Sequence, residues 1–157
     1  MIPPYLRNYL LNALGGTPSV LTALLADLSD GSAAWDARPE ADRFTLREIT
    51  AHLADWEPVA RGRIGRTRSE EKPFLPNWDE GAAAVAGRYD QTEPHDSLRS
   101  FRDRRAETVA LLETLGEPEW HRVAERENVG ELSIYTQIVL ILAHDGYHLR
   151  QVTEYHP

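Results

Sequence analysis

From about Ser133 to Tyr155 the chain carries some 23 residues with helical periodicity, about 34 Å if they form one α-helix. Ile134, Ile138, Ile141, Leu142, Leu149 and Val152 recur at spacings that draw a broad apolar arc along one side. A helix of that length must bury its apolar side against other elements, and the remainder of the chain offers helices rather than strands. β-Branched residues are scattered, and no run alternates apolar and polar residues with period two. The expected fold class is all-α.

The other helices follow from local signals. A first helical region spans Pro4 to Leu28 and is expected to break at Gly15-Gly16. There Thr17 and Pro18 have the character of an N-cap and first helical position. Leu21, Leu24, Leu25 and Leu28 continue it as an apolar stripe, and Ser29-Asp30-Gly31 ends it. A second helix starts at Thr45, which has capping-box spacing to Glu48, and buries Leu46, Ile49, Leu53, Ala60 and Ile64. Pro58 lies inside this pattern and predicts a kink near Glu57 or an early end. A loop covers 69–77, and Asn77 with Glu80 predicts the cap of a short helix reaching Tyr89. A third long helix runs from Asp96 or Ser97 to Leu115, with Leu98, Phe101, Arg105, Thr108, Leu112 and Leu115 inward and Gly116 and Pro118 as the stop. A polar stretch from Glu119 to Glu131 precedes the last helix. Four long helices joined by short to medium connections predict a four-helix bundle.

Composition sets further bounds. A chain of 157 residues fits a single domain, 1–157, and buries a core without staples. Apolar residues at 41% and charged residues at 27% are values of an ordered globular chain. Cysteine is absent, so disulfides, thiolate metal sites and cysteine nucleophiles are all excluded, and any metal must sit on His, Asp or Glu. The apolar start, Met1 to Leu14, lacks a basic leader, and no apolar run approaches the roughly 20 residues that span a bilayer. A cytoplasmic protein with no membrane association is expected. The net charge of −8 repels phosphate backbones and argues against nucleic acid. Arg61, Arg63, Arg66 and Arg68 form one local basic cluster, read either as a solvated helix end or as an anion-binding rim.

The residues that carry chemistry are histidines. His144 and His148 are one turn apart on the last helix, so both rings can reach one point. Spacing alone fits two locally satisfied rings as well as a chelating pair. Their position at the edge of the apolar arc, with Gln137, Ile141, Gln151 and Tyr155 on nearly the same face, is where an accessible metal would be useful. His52 is the best third ligand, with Glu48 one turn before it and Trp56 one turn after it. Three imidazoles leave coordination positions open, as catalytic sites do. Zinc, nickel, iron or manganese suits such ligands. Glu48, Asp55 and Asp145 are the nearby carboxylates available to orient the rings. His95, His121 and His156 are expected at the surface. Trp35, Trp56, Trp78 and Trp120 are expected in the core or as helix anchors, with Trp56 also able to wall a pocket. Ser133 reads as an N-cap rather than a nucleophile.

Three segments, TPSVLTALLADL at 17–28, FTLREITAHLADWE at 44–57 and LSIYTQIVLILAHDGYHLRQV at 132–152, resemble the DinB-like, or YfiT-like, superfamily of metalloenzymes. The likeness extends from about Leu11 to Tyr155, and it places His52, His144 and His148 where that family carries metal-binding histidines. The resemblance implies an up-down-down-up four-helix bundle, often a homodimer, with a divalent metal in a pocket at its side and a small-molecule substrate. Characterised relatives include S-transferases that use bacillithiol or mycothiol, and a related isomerase. On that pattern a low-molecular-weight thiol is activated by the metal, and Arg61 or Arg63 holds an anionic part of the cofactor. The alternative is a non-catalytic bundle that binds a metal or small molecule in a stress response, with the metal enclosed and no pocket beside it.

Overall fold

The computed structural model describes residues 2–156. Four long helices dominate it: α1 (Pro4–Leu24), α2 (Leu46–Ser69), α4 (Pro94–Glu113) and α5 (Ile134–Tyr155), with a short α3 (Glu80–Ala86) between α2 and α4. Each of α1 and α2 packs against both α4 and α5. Among the described residues no helix is long and apolar enough to cross a membrane.

The caps expected for α2 and α5 form. Thr45 Oγ1 accepts from the Glu48 amide while Glu48 Oε2 accepts from the Thr45 amide at 2.8 Å, a complete capping box. Ser133 Oγ accepts from the Thr136 amide at 3.1 Å and opens α5. The inward residues named for α2 and α4 are all buried. Other expectations are corrected. α1 passes through Gly15-Gly16 without a break, and Thr17 is no N-cap: its hydroxyl donates back to the Ala13 carbonyl. Of the kink or early end expected at Pro58, the early end is overturned, since α2 continues to Ser69. The short helix is capped by Asp79 rather than Asn77 and ends at Ala86, and α4 begins two residues early at Pro94.

The two interior prolines are tolerated for the same reason. Pro18 has no N–H for the Leu14 carbonyl, and Arg105 Nη1 donates to that oxygen at 2.9 Å. Pro58 has none for the Ala54 carbonyl, and Arg104 Nη1 donates there at 2.8 Å. Consecutive arginines of α4 thus satisfy both orphaned oxygens.

The all-α expectation is also corrected, because the chain holds a small sheet. β1 (Phe74–Leu75) runs parallel to β2 (Val123–Arg126), which pairs antiparallel with β3 (Gly130–Ser133). Asn128 and Gly130, at φ 61° and 95°, make the left-handed turn between β2 and β3. Each of these two strands buries one residue, Ala124 or Leu132, too few to show a period of two.

The core has two apolar halves. One gathers Leu21, Trp35, Leu53, Phe101 and Val152; the other gathers Leu14, Ile64, Leu112, Trp120 and Ile138. Along α2, α4 and α5 a buried charged layer falls between them. Arg105 bonds Glu57 at 2.7 Å and both oxygens of Asp145 at 2.6 and 3.0 Å, while Thr108 donates to Glu57 at 2.7 Å. All three ionic side chains are at most 2% exposed. Arg105→Met would leave two buried carboxylates uncompensated and should cost about 3–5 kcal/mol in urea denaturation. Thr45→Ala, which removes only a cap, should cost about 1 kcal/mol in the same measurement.

Candidate metal centre

The capping box fixes the start of α2, and His52 follows two turns in, on the side that meets α5. His144 and His148 stand one turn apart on α5. The structure brings the three rings together. The Nε2 atoms of His52 and His144 are 3.0 Å apart, and those of His144 and His148 are 3.2 Å apart. His52 and His148 are buried, and His144 is partly so. The ring centroids lie 4.6–5.1 Å from one another.

Burial is the main reason all three rings are poor bases. It pushes His52 down to about 3, helped by the charges His148 and His144 would carry. It pushes His144 down to about 4, helped by Arg105. It pushes His148 to about 4, helped by His144 and opposed by the Gln151 hydrogen bond. At neutral pH each ring therefore keeps a free nitrogen lone pair. For His148 the tautomer follows from its neighbour. The Gln151 amide nitrogen donates to the Phe44 carbonyl and the Tyr155 hydroxyl, so its oxygen faces His148 and accepts from Nδ1 at 3.2 Å. His148 Nε2 is then the lone-pair nitrogen. Three neutral donors so close have too few protons to satisfy one another. A cation held at roughly 2.0–2.1 Å from each nitrogen would need donors about 3.0–3.4 Å apart, and these fit.

Aromatic rings enclose the cluster. Trp78 stacks on His52 with centroids 5.7 Å apart, Phe44 lies 5.2 Å from the same ring, and Trp56 lies 5.5 Å from His144. Tyr147 stands edge-on to His148 at 5.0 Å. One side stays open: a cavity of about 320 Å³ reaches His144 and His148 between Arg43, Phe44, Glu80 and Tyr147.

The expected carboxylate partners lie elsewhere. Glu48 closes the capping box and pairs with Arg38. Asp55 accepts from the Tyr89 hydroxyl at 2.8 Å, and Asp145 is held by Arg105. Gln151 does the orienting instead, and its three-residue offset from His148 was the available signal. His52 Nδ1 and His144 Nδ1 are buried without a partner. Trp56 is at the site as expected. Trp78 is there too, reached through a loop that no helical period could place. Gln137 donates to Thr67 and faces a neighbouring cavity. Arg61 pairs with Glu107, whereas Arg63 lies over Trp56. His95, His121 and His156 bond to Leu28, Glu117 and Asp27, away from the cluster.

Fold and site together define a helical bundle with a three-histidine candidate metal site on its flank. The chain belongs to the DinB superfamily, whose family model matches residues 13–152. It is similar to a "putative metal-dependent hydrolase" of Oceanobacillus iheyensis, 26% identical over 147 residues, covering 93% of this chain and 83% of the relative. It is also similar to the "putative metal-dependent hydrolase YfiT" of Bacillus subtilis, 25% identical over 112 residues, covering 71% of this chain and 63% of the relative. The solved structure of YfiT, described as a "probable metal-dependent hydrolase with an unusual four-helix bundle topology", superposes with a TM-score of 0.89 at 21% identity, over 99% of this chain and 88% of that one. That match shows the fold.

The depressed imidazoles make the metal-free protein sensitive to acid. Between the ordinary histidine value of 6.5 and about 4, the unfolded chain binds protons on these rings while the folded chain does not. The unfolded state is the more protonated, so stability rises with pH through this window and falls as pH is lowered. Melting temperature of chelator-treated protein should therefore drop from pH 7 to pH 4.5, and His52→Gln should flatten the slope. Parallel slopes for the two proteins would contradict this origin.

Proposed function

We propose that His52, His144 and His148 hold a divalent metal through their Nε2 atoms, and that the chain is an enzyme acting on an external low-molecular-weight thiol. The observation that carries the reading is the convergence of three neutral nitrogen donors, 3.0–3.2 Å between neighbours, at the wall of an open cavity. The names of the relatives support metal dependence. When bound, a divalent ion supplies Lewis acidity that lowers the pKa of a coordinated thiol or water toward neutrality. Zinc, nickel, iron and manganese all suit the donor set.

The chain's own residues do the rest. Burial keeps the imidazoles unprotonated, and Gln151 holds His148 in the tautomer whose Nε2 faces its neighbours. Trp56, Trp78 and Phe44 exclude water from the inner side, leaving entry through the cavity beside Tyr147. The chain has no cysteine, so a sulfur nucleophile must come from outside. The carboxylates at the mouth, Asp42 and Glu80, are exposed. None of the described carboxylates hydrogen-bonds a ring of the cluster, and those that line the cavity would serve a bound water as general bases. A thiol needs no such base once its pKa falls. Hydrolysis is the second reading, favoured by the relatives' names. The open cavity argues against a merely metal-storing bundle.

Protein purified without a histidine tag should carry about one divalent metal per chain, read by elemental analysis, and His148→Ala should lose it. Gln151→Leu, which keeps all three ligands, should weaken metal affinity about 10–100-fold. Equal, sub-stoichiometric metal in all three proteins would end the metal reading. Metal-loaded protein offered bacillithiol or mycothiol with a panel of electrophiles should consume the thiol. Ester or amide cleavage without loss of thiol would decide for hydrolysis instead.

A further inference from the structure

Beyond Trp56 lies a second, smaller cavity of about 60 Å³, lined by Leu75, Leu132, Ile141 and Gln137 and by two arginines, Arg63 and Arg126. It is large enough for a few non-hydrogen atoms. Arg63 is 9% exposed and lies 4.9 Å over the Trp56 ring. Its Nη2 donates to the Pro76 carbonyl at 2.8 Å, but its Nη1 is buried without a partner. The Trp56 Nε1 is buried and unpartnered as well. Arg126 reaches only the Asn77 side-chain oxygen, at 3.3 and 3.4 Å.

The cavity lining therefore sets two guanidiniums against one neutral side-chain acceptor, the Gln137 carboxamide oxygen. Among the described residues neither guanidinium forms an ion pair with a carboxylate, although the chain has 25 acidic residues and a net charge of −8. Burial and the charge of Arg126 together push Arg63 down to about 10, and burial also lowers Arg126. Two like charges beside one pocket, that of Arg63 largely removed from water, repel each other unless an anion lies between them. Burial of this kind is not a feature of a solvated helix end. The planar fork of a guanidinium matches a carboxylate, and the apolar walls match a short hydrocarbon chain. A tetrahedral phosphate, polar on every side, does not match the apolar walls.

We propose that Arg63, Arg126 and the Trp56 N–H form an anion subsite that takes the carboxylate of a small, otherwise apolar acid. Trp56 is shared with the histidine cluster, so the anion is held next to the candidate metal centre, at the distance of one side chain. Arg61, paired with Glu107, takes no part. The subsite does not depend on whether the histidines hold a metal.

The test uses the full chain, both chelator-treated and metal-loaded, in low-chloride buffer, with butyrate as probe and titration calorimetry or ligand-observed NMR as readout. Butyrate should bind in the millimolar range, and Arg63→Met and Arg126→Met should each weaken it about ten-fold or more. The neutral isostere butyramide should not bind, and inorganic phosphate should bind no better than butyrate. Arg126 is only partly buried, so its variant should keep the wild-type melting profile and metal content. Equal binding of butyrate to all three proteins, binding of butyramide, or no butyrate binding because the cavity holds only water would each overturn the proposal. Loss of butyrate binding with metal uptake unchanged would separate this subsite from the metal reading.

Discussion

The bundle is organised around the guanidinium of Arg105. It sits on α4, bonds Glu57 of α2 and Asp145 of α5, and donates to the Leu14 carbonyl of α1, so one side chain touches all four long helices. Apolar packing alone would tolerate a helix sliding by one turn, because leucines and isoleucines are nearly interchangeable in volume. A buried ion triad does not. Shifting any helix by a turn would strand a charge in the core, which is far more costly than a cavity. Register is therefore set by charge while cohesion comes from the two apolar halves on either side.

That register is what assembles the histidines. Asp145 is the immediate neighbour of His144, and Glu57 follows His52 by little more than a turn. Pinning Glu57 and Asp145 to one arginine brings those stretches of α2 and α5 level with each other, and the imidazoles meet on the flank. Formally the triad carries one positive and two negative charges, so the surplus negative charge lies beside the cluster. A dication held there would be partly balanced from within the core. The role expected of Asp145 was to orient a ring directly. Its actual role is to place the helix that bears two of the rings.

Much of this was legible in the sequence, and the failures have identifiable causes. α2 and α5 were readable because their caps are local: Thr45 with Glu48, and Ser133, act within three residues. Helical period put His144 and His148 on one face, whereas the addition of His52 rested on the resemblance of the segments around 44–57 and 132–152. The break expected at Gly15-Gly16 and the early end allowed at Pro58 did not form, because the remedy for each proline lies about 50 or 90 residues away in Arg104 or Arg105. No local rule sees that. The strands escaped notice because they are two to four residues long and held mostly by backbone pairing. Trp78 was placed at the site by the β1 connection, a tertiary path without a sequence period.

The two cavities near the histidine cluster differ in a way that bears on selection of ligands. One, about 320 Å³, meets His144 and His148 and carries charges of both signs at its rim. The other, about 60 Å³, is mostly apolar, with Trp56, Arg63, Arg126 and Gln137 as its polar lining. Surface arginines in this chain nearly all find carboxylates: Arg38 with Glu48, Arg47 with Asp36, Arg66 with Glu70, Arg68 with Glu119. Among the described residues Arg63, Arg88, Arg122 and Arg126 have none, and Arg63, set over the Trp56 ring, is the most deeply buried of these, where a charge without a carboxylate is most unfavourable. A fold governed by stability alone would replace it with an apolar side chain of similar volume. The strain of keeping it, set one side chain from three converging imidazoles, is of the kind found where binding competes with stability.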